Sequence, residues 1–111
     1  MTSRSRTITE RPLGRRRLAP IHPGEILAED LRDLGLSLNQ IARDLRVPMN
    51  RISAIVNGKR SITADTAMRL ARYFGTSPEY WMNLQIHFDL ALAARAKGEE
   101  IKRSVLPRRA A

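Results

Sequence analysis

Apolar residues recur at helical spacing in five separate stretches of the chain. Leu27, Leu31 and Leu34 form the first stripe, and Leu38, Ile41, Ala42 and Leu45 the second. Ile52, Ile55 and Val56 form the third, and Ala67, Leu70, Ala71 and Phe74 the fourth. Trp81, Leu84, Phe88, Ala91 and Leu92 form the last. Spacings of three and four place such residues on one face of an α-helix. The polar punctuation agrees. Pro23-Gly24 opens a helix that Gly35 ends, and Ser37 caps the next. Pro48 suits the first position of the third helix, and Asn57-Gly58 stops it. Thr63 caps a helix from Ala64 to Phe74, with Asp65 in its positive first turn, and Gly75 ends it. Ser77, Pro78 and Glu79 open the last. The pattern predicts an all-α fold, a compact bundle of five helices.

The second and third helices are short and closely joined, between Ser37 and Arg60. Ala42 supplies the small residue that two steeply crossing helices need, and Val47 plugs the turn. Ile41, Leu45, Ile52 and Ile55 then face the core, as in a helix-turn-helix. Met49, Asn50, Arg51, Ser53, Ala54 and Asn57 are left on the outer side of the second helix, which in such a motif enters the major groove. Base reading is expected from Met49, Asn50 and Arg51, with Ala54 able to touch a thymine methyl. Phosphate contacts are expected from Ser37, Asn39 and Gln40 at the mouth of the first motif helix, and from Asn57, Lys59 and Arg60 after the second. The plain alternative is an ordinary helical hairpin.

The last helix carries more apolar residues than one face can hold. Tyr80, Met82, Ile86, Leu90 and Ala93 lie off the core stripe. A helix apolar all round needs a second partner. Met82, Ile86, Leu90 and Ala93 are therefore expected to form a dimer or partner surface, with Asp89 at its rim. A symmetric homodimer uses the same patch twice. The competing occupants are a different protein or the chain's own tails.

Charge sharpens this picture. The net charge of +9 divides into +5 over residues 1–20, +1 over 21–96 and +3 over 97–111. Residues 1–20, with Arg15-Arg16-Arg17, read as a disordered basic arm, residues 21–96 as the domain (motif 37–58), and 97–111 as a basic C-terminal tail. Within the domain, Arg43, Arg46, Arg51, Lys59 and Arg60 cluster in the motif, while Glu25, Glu29, Asp30 and Asp33 cluster before it. A polyanion should meet the positive side, and double-stranded DNA is the expected partner. The chain is poor in aromatics that could stack RNA bases.

Other chemistry finds no footing. There is no Cys, so no disulfide or thiol chemistry is possible, and a reducing cytoplasm suits the chain. No phosphate loop, HExxH or nucleophile beside a His base occurs, so no catalytic residue, cofactor or metal ligand is expected. His22 reads as a cap or packing residue and Trp81 as a core anchor. No signal peptide or membrane span is expected.

Ile21-His22-Pro23-Gly24-Glu25-Ile26-Leu27, IARDLRVPMNRIS and VNGKRSITADTAMRLARYFGTSPEYWMNLQ together resemble the lambda-repressor-like (XRE) helix-turn-helix class, and within it the HigA-type antitoxins. The resemblance covers roughly residues 20–95. Three positions depart from it. Arg46 stands where such motifs usually have Gly, Pro48 where Ser or Thr is frequent, and Leu38 where many relatives place a phosphate-contacting Gln. The resemblance implies a bacterial, cytoplasmic, nucleoid-associated autorepressor of a palindromic operator. It also implies neutralisation of a RelE/HigB-like toxin that cleaves messenger RNA. The alternatives are a stand-alone phage-type repressor and an interaction adaptor that has lost DNA binding.

Overall fold

The computed structural model describes Ile8, Glu10 and residues 19–109. It contains five helices: α1 (Pro23–Leu34), α2 (Leu38–Leu45), α3 (Met49–Val56), α4 (Ala64–Phe74) and α5 (Pro78–Ser104). Four begin at side-chain caps. Ser37 Oγ accepts from the Gln40 N–H at 3.0 Å, Thr63 Oγ1 from Thr66 at 3.4 Å, and Ser77 Oγ from Tyr80 at 3.0 Å. His22 caps α1. Its Nδ1 accepts from the Gly24 N–H at 2.9 Å, while the Glu25 carboxylate accepts from the His22 N–H at 3.3 Å. This is a reciprocal capping box with imidazole in the usual place of a hydroxyl. Pro48 differs from expectation. With φ −62° and ψ 144° it is the residue before α3 rather than its first helical residue, and it offers no side-chain cap.

The core joins all five helices. Leu27, Ile41, Ile52, Ile55, Leu70 and Trp81 have no exposed surface. Trp81 packs against Phe74, with ring centroids 6.2 Å apart, and its indole N–H donates to Thr76 Oγ1 at 2.7 Å. Ala42 is buried in α2, as the crossing with α3 requires. A second close approach involves Gly24. A Cβ there would lie 1.8 Å from the Ile55 carbonyl oxygen, so the first turn of α1 rests on the backbone of α3.

The core face of α5 is rotated from the expected stripe. Tyr80, Trp81, Leu84 and Gln85 are buried and Phe88 is half-buried, whereas Leu92 is exposed. The reason is that α5 packs on α4 and α1 together, so its buried face is wider than a single stripe. Tyr80 is drawn in beside Trp81, with rings 5.0 Å apart. Beyond Asp89 the helix leaves the body, and the molecule is 60 Å long but 28 Å across.

The expected tail after residue 96 is in fact helix as far as Ser104. Gly98 costs roughly 1 kcal/mol relative to Ala, but strong helix formers flank it on both sides. The last turn is supported by Ser104 Oγ donating to the Glu100 carbonyl at 2.8 Å, and by Lys102 and Arg103 at the negative end of the helix dipole. The basic arm expected over residues 1–20 lies almost wholly outside the described residues. Two of its members do touch the domain. Ile8 packs on the core, and the Glu10 carboxylate accepts from the Ser77 N–H at 2.7 Å.

The Gly24 contact gives a direct test. Gly24→Ala should destabilise the fold by about 3 kcal/mol, because the added methyl meets backbone that cannot swing aside. Urea unfolding of the two proteins measures it, and a loss below about 1 kcal/mol would show that α1 and α3 can separate freely.

Candidate nucleic-acid interface

α3 is eight residues long, and its orientation comes from the two isoleucines buried beneath it. With Ile52 and Ile55 inward, Met49 and Asn50 are exposed and Ser53 and Ala54 half-exposed on the outer side. The turn before α3 is tight. Arg46 ends α2 in the left-handed region, φ 63°, the one positive-φ residue other than glycine among those described. The Val47 N–H then donates to the Ala42 carbonyl at 3.0 Å, and the Val47 side chain packs on the core. Arg46 thus keeps the conformation that glycine provides cheaply, at a cost of order 1 kcal/mol. Leu38, another of the three departures, is half-buried against the core.

The loop from Asn57 to Thr63 holds Lys59 and Arg60 exposed beside α3. It is fixed at two points. The Lys59 N–H donates to the Ala54 carbonyl at 2.8 Å, tying the loop to α3. The Ile62 N–H donates to the buried Gln85 Oε1 at 2.8 Å, tying it to α5. Gln85 is itself oriented by donating from Nε2 to Asp89 Oδ1 at 2.9 Å. The His22 ring lies beside the loop at Gly58. That ring also packs edge-on against Phe88 at 4.9 Å. The basic loop is therefore placed by α3 and α5, with the cap residue of α1 beside it.

The expected phosphate and base residues separate into two groups. Asn39, Asn57, Lys59 and Arg60 are exposed, as phosphate contacts require. Ser37 spends its hydroxyl on the α2 cap. Gln40 is half-buried. Its amide donates to both Asp44 oxygens at 3.2 and 3.0 Å, and its carbonyl accepts from Arg43 at 3.2 Å. Asp44 also accepts from the Tyr73 hydroxyl at 2.6 Å, and that bond, ahead of the one from Gln40, holds its carboxyl below the usual range. Arg51 is the larger surprise, since its guanidinium is paired with Asp65 at 2.7 Å. The patch expected for a partner is partly revised. Ile86, Leu90 and Ala93 are exposed, but Met82 is half-buried and packs on the core. Ile101 continues the exposed stripe on the helix extension.

Gln85, Asp65 and Arg69 were not singled out as site residues by the sequence. Gln85 left one trace, a polar side chain between Leu84 and Ile86 in an otherwise apolar stretch. Among the described residues, no group of three or more His, Cys, Asp or Glu could hold a metal ion, and no helix is long and apolar enough to cross a membrane.

Comparison with known proteins matches this geometry. A helix-turn-helix family model matches residues 27–81. A structure from Coxiella burnetii, an addiction module antidote protein of a HigA family, is 55% identical and superposes with a TM-score of 0.80, covering 81% of this chain and 99% of its own. The chain belongs to the HigA family. Another HigA relative, the antitoxin HigA of Pseudomonas aeruginosa with the higBA promoter, is 45% identical, with a TM-score of 0.78 and coverage of 81% and 99%. Antitoxin HigA-1 of Vibrio cholerae is 34% identical over 75% of this chain and 79% of its own.

The buried cap residue of this HigA-family chain makes stability depend on pH. Burial lowers the His22 pKa below 6.5, against opposing contributions from the Glu25 and Asp89 charges and the Arg60 backbone. The folded state therefore favours neutral imidazole. The stability it gives is complete above pH 6.5 and is lost as pH falls below that value. Asp44 and Asp65, whose carboxyls lie below 3.8, lose their contributions only in a more acidic window. The melting temperature should fall between about pH 7.5 and 5.5. His22→Asn, which retains a capping acceptor, should flatten that fall, as thermal melts followed by circular dichroism would record. An equal fall in both proteins would assign the pH dependence to other groups.

Proposed function

We infer that this protein is a HigA-type antitoxin. It binds a palindromic operator as a symmetric dimer, represses its own promoter and neutralises a RelE/HigB-like toxin that cleaves messenger RNA. The observation that carries the DNA-binding part is the outward face of α3, with Met49 and Asn50 exposed, set beside a braced loop bearing Lys59 and Arg60. A relative 45% identical to this chain has been solved with the higBA promoter. The toxin is supported by the family alone. The role is binding rather than catalysis, exercised at the bacterial nucleoid in the cytoplasm.

In this reading, Met49, Asn50, Arg51 and Ala54 meet base edges. Asn39, Asn57, Lys59 and Arg60 meet phosphates, joined by Ser37 and Gln40 through the first turn of α2. One motif reads only a few base pairs, so two are needed, with half-sites about 34–36 Å apart. Ile86, Leu90 and Ala93 supply the dimer surface, and Ile101 extends it.

Three outcomes follow from this reading. Replacing Lys59 and Arg60 with Ala should weaken binding to operator and random DNA alike, and make the salt dependence of affinity shallower by about one unit per residue. Asn50→Ala should relax one base position per half-site, worth roughly 1–3 kcal/mol, while affinity for random DNA is kept. An unaltered consensus in a binding-site selection would remove Asn50 from base reading. Ile86→Glu with Leu90→Glu should give a folded monomer that binds a half-site weakly, seen by sedimentation with circular dichroism. A variant still dimeric and fully helical would place the dimer elsewhere. For the toxin, the test is co-expression with the product of the neighbouring small reading frame. Co-purification and relief of growth arrest support the antitoxin reading, and their absence with operator binding intact favours a phage-type repressor.

A further inference from the structure

Arg51 is the one cation on α3, and it is already engaged. Its Nη1 donates to Asp65 Oδ2 at 2.7 Å, and 24% of its side chain is exposed. Asp65 lies in the first turn of α4, fourteen residues further on and outside the helix-turn-helix. The same Oδ2 accepts from Arg69 Nε at 2.9 Å. Arg69 in turn donates from Nη1 to the Leu45 carbonyl at 2.9 Å, at the end of α2. The carboxylate that holds Arg51 is thus fixed by its own helix and by an arginine anchored on α2.

An arginine on a recognition helix has two possible uses. Unrestrained, its charge settles on the nearest phosphate and adds affinity without reading sequence. Restrained, its planar fork can match guanine, whose N7 and O6 accept side by side. The Asp65 bond occupies Nη1, which leaves the opposite edge, Nε with Nη2, to pair with a base. The stabilising value of this arrangement is small, because Asp65 is more than half exposed and such pairs add little to folding. Its consequence lies in where the guanidinium points.

We propose that Asp65 is a specificity-determining residue: it positions Arg51 to read one guanine per half-site and keeps its charge from the phosphates. This rests on the reading of Arg51 as a base-contacting residue. Asp65 touches no base itself and acts through Arg51.

Binding-site selection and salt-dependent affinity, measured together on Asp65→Asn, Arg51→Ala, the double variant and Arg69→Ala, test the proposal. In Asp65→Asn the guanine preference at one position should fall roughly tenfold. Affinity for random DNA should rise, and the salt slope should steepen by up to about one unit, as the released arginine finds a phosphate. A protein that had merely loosened would not bind random DNA more tightly. In the Arg51→Ala background the Asp65 change should leave the consensus as it is. Arg69→Ala keeps the Asp65–Arg51 pair, so it should retain the preference while its melting temperature falls. Asp65→Ser gives the same readout if the amide variant folds poorly. If Arg51→Ala abolishes the guanine preference while Asp65→Asn keeps both preference and slope, the positioning role is overturned and the base reading survives. If Arg51→Ala leaves the consensus unchanged, the base reading itself fails and the proposal with it. Equal loss of preference and melting temperature in Asp65→Asn and Arg69→Ala would reduce the effect to general loosening and overturn it.

Discussion

α3 does not hold itself together. Eight residues are too few for a stable isolated helix in water, and the proline that precedes α3 provides no side-chain cap. What keeps it helical and correctly turned is the burial of Ile52 and Ile55, together with the backbone of α1 pressed against Ile55 at Gly24. Both isoleucines have no exposed surface, each worth about 1.5–3 kcal/mol of burial, and that packing offsets the cost of ordering the segment. The same packing decides which residues face outward. An outward face on so short a helix needs rigid support, and here it comes from the buried residues beneath it.

The basic loop follows the same logic. Lys59 and Arg60 are exposed, but the backbone of their loop is tied by Ala54 and Gln85. One of these ties leads to an element outside the motif. Gln85 sits on α5 next to Ile86, so the helix that carries the exposed apolar stripe also positions the loop. The cap of α1, the basic loop and the root of the projecting helix meet at His22, Phe88 and Gln85. Changes in this cluster therefore reach the proposed DNA-facing side without touching it.

Much of this was legible in the sequence because it is local. Ser37, Thr63 and Ser77 announce helix starts through bonds spanning three residues, and apolar spacing identified the core positions of α1 to α4. What escaped is long-range. Gly24 against Ile55, Gln85 with Ile62, and Arg51 with Asp65 join residues far apart in the chain, and no local period encodes them. The face of α5 was misjudged because two helices cover it, which draws in Tyr80 and Met82 and releases Leu92. The basic composition after residue 96 misled in the other direction, since the helix formers around Gly98 carry α5 on to Ser104.

The central claim is that two copies of α3 read a specific DNA sequence. Hydroxyl-radical footprinting of the protein on its own promoter, with affinities for promoter and random DNA compared at about 0.15 M salt, tests it most directly. The account predicts two protected half-sites about one helical turn apart, centre to centre, and a preference for promoter of at least roughly a thousandfold. Equal affinity for the two DNAs with no phased protection would contradict it.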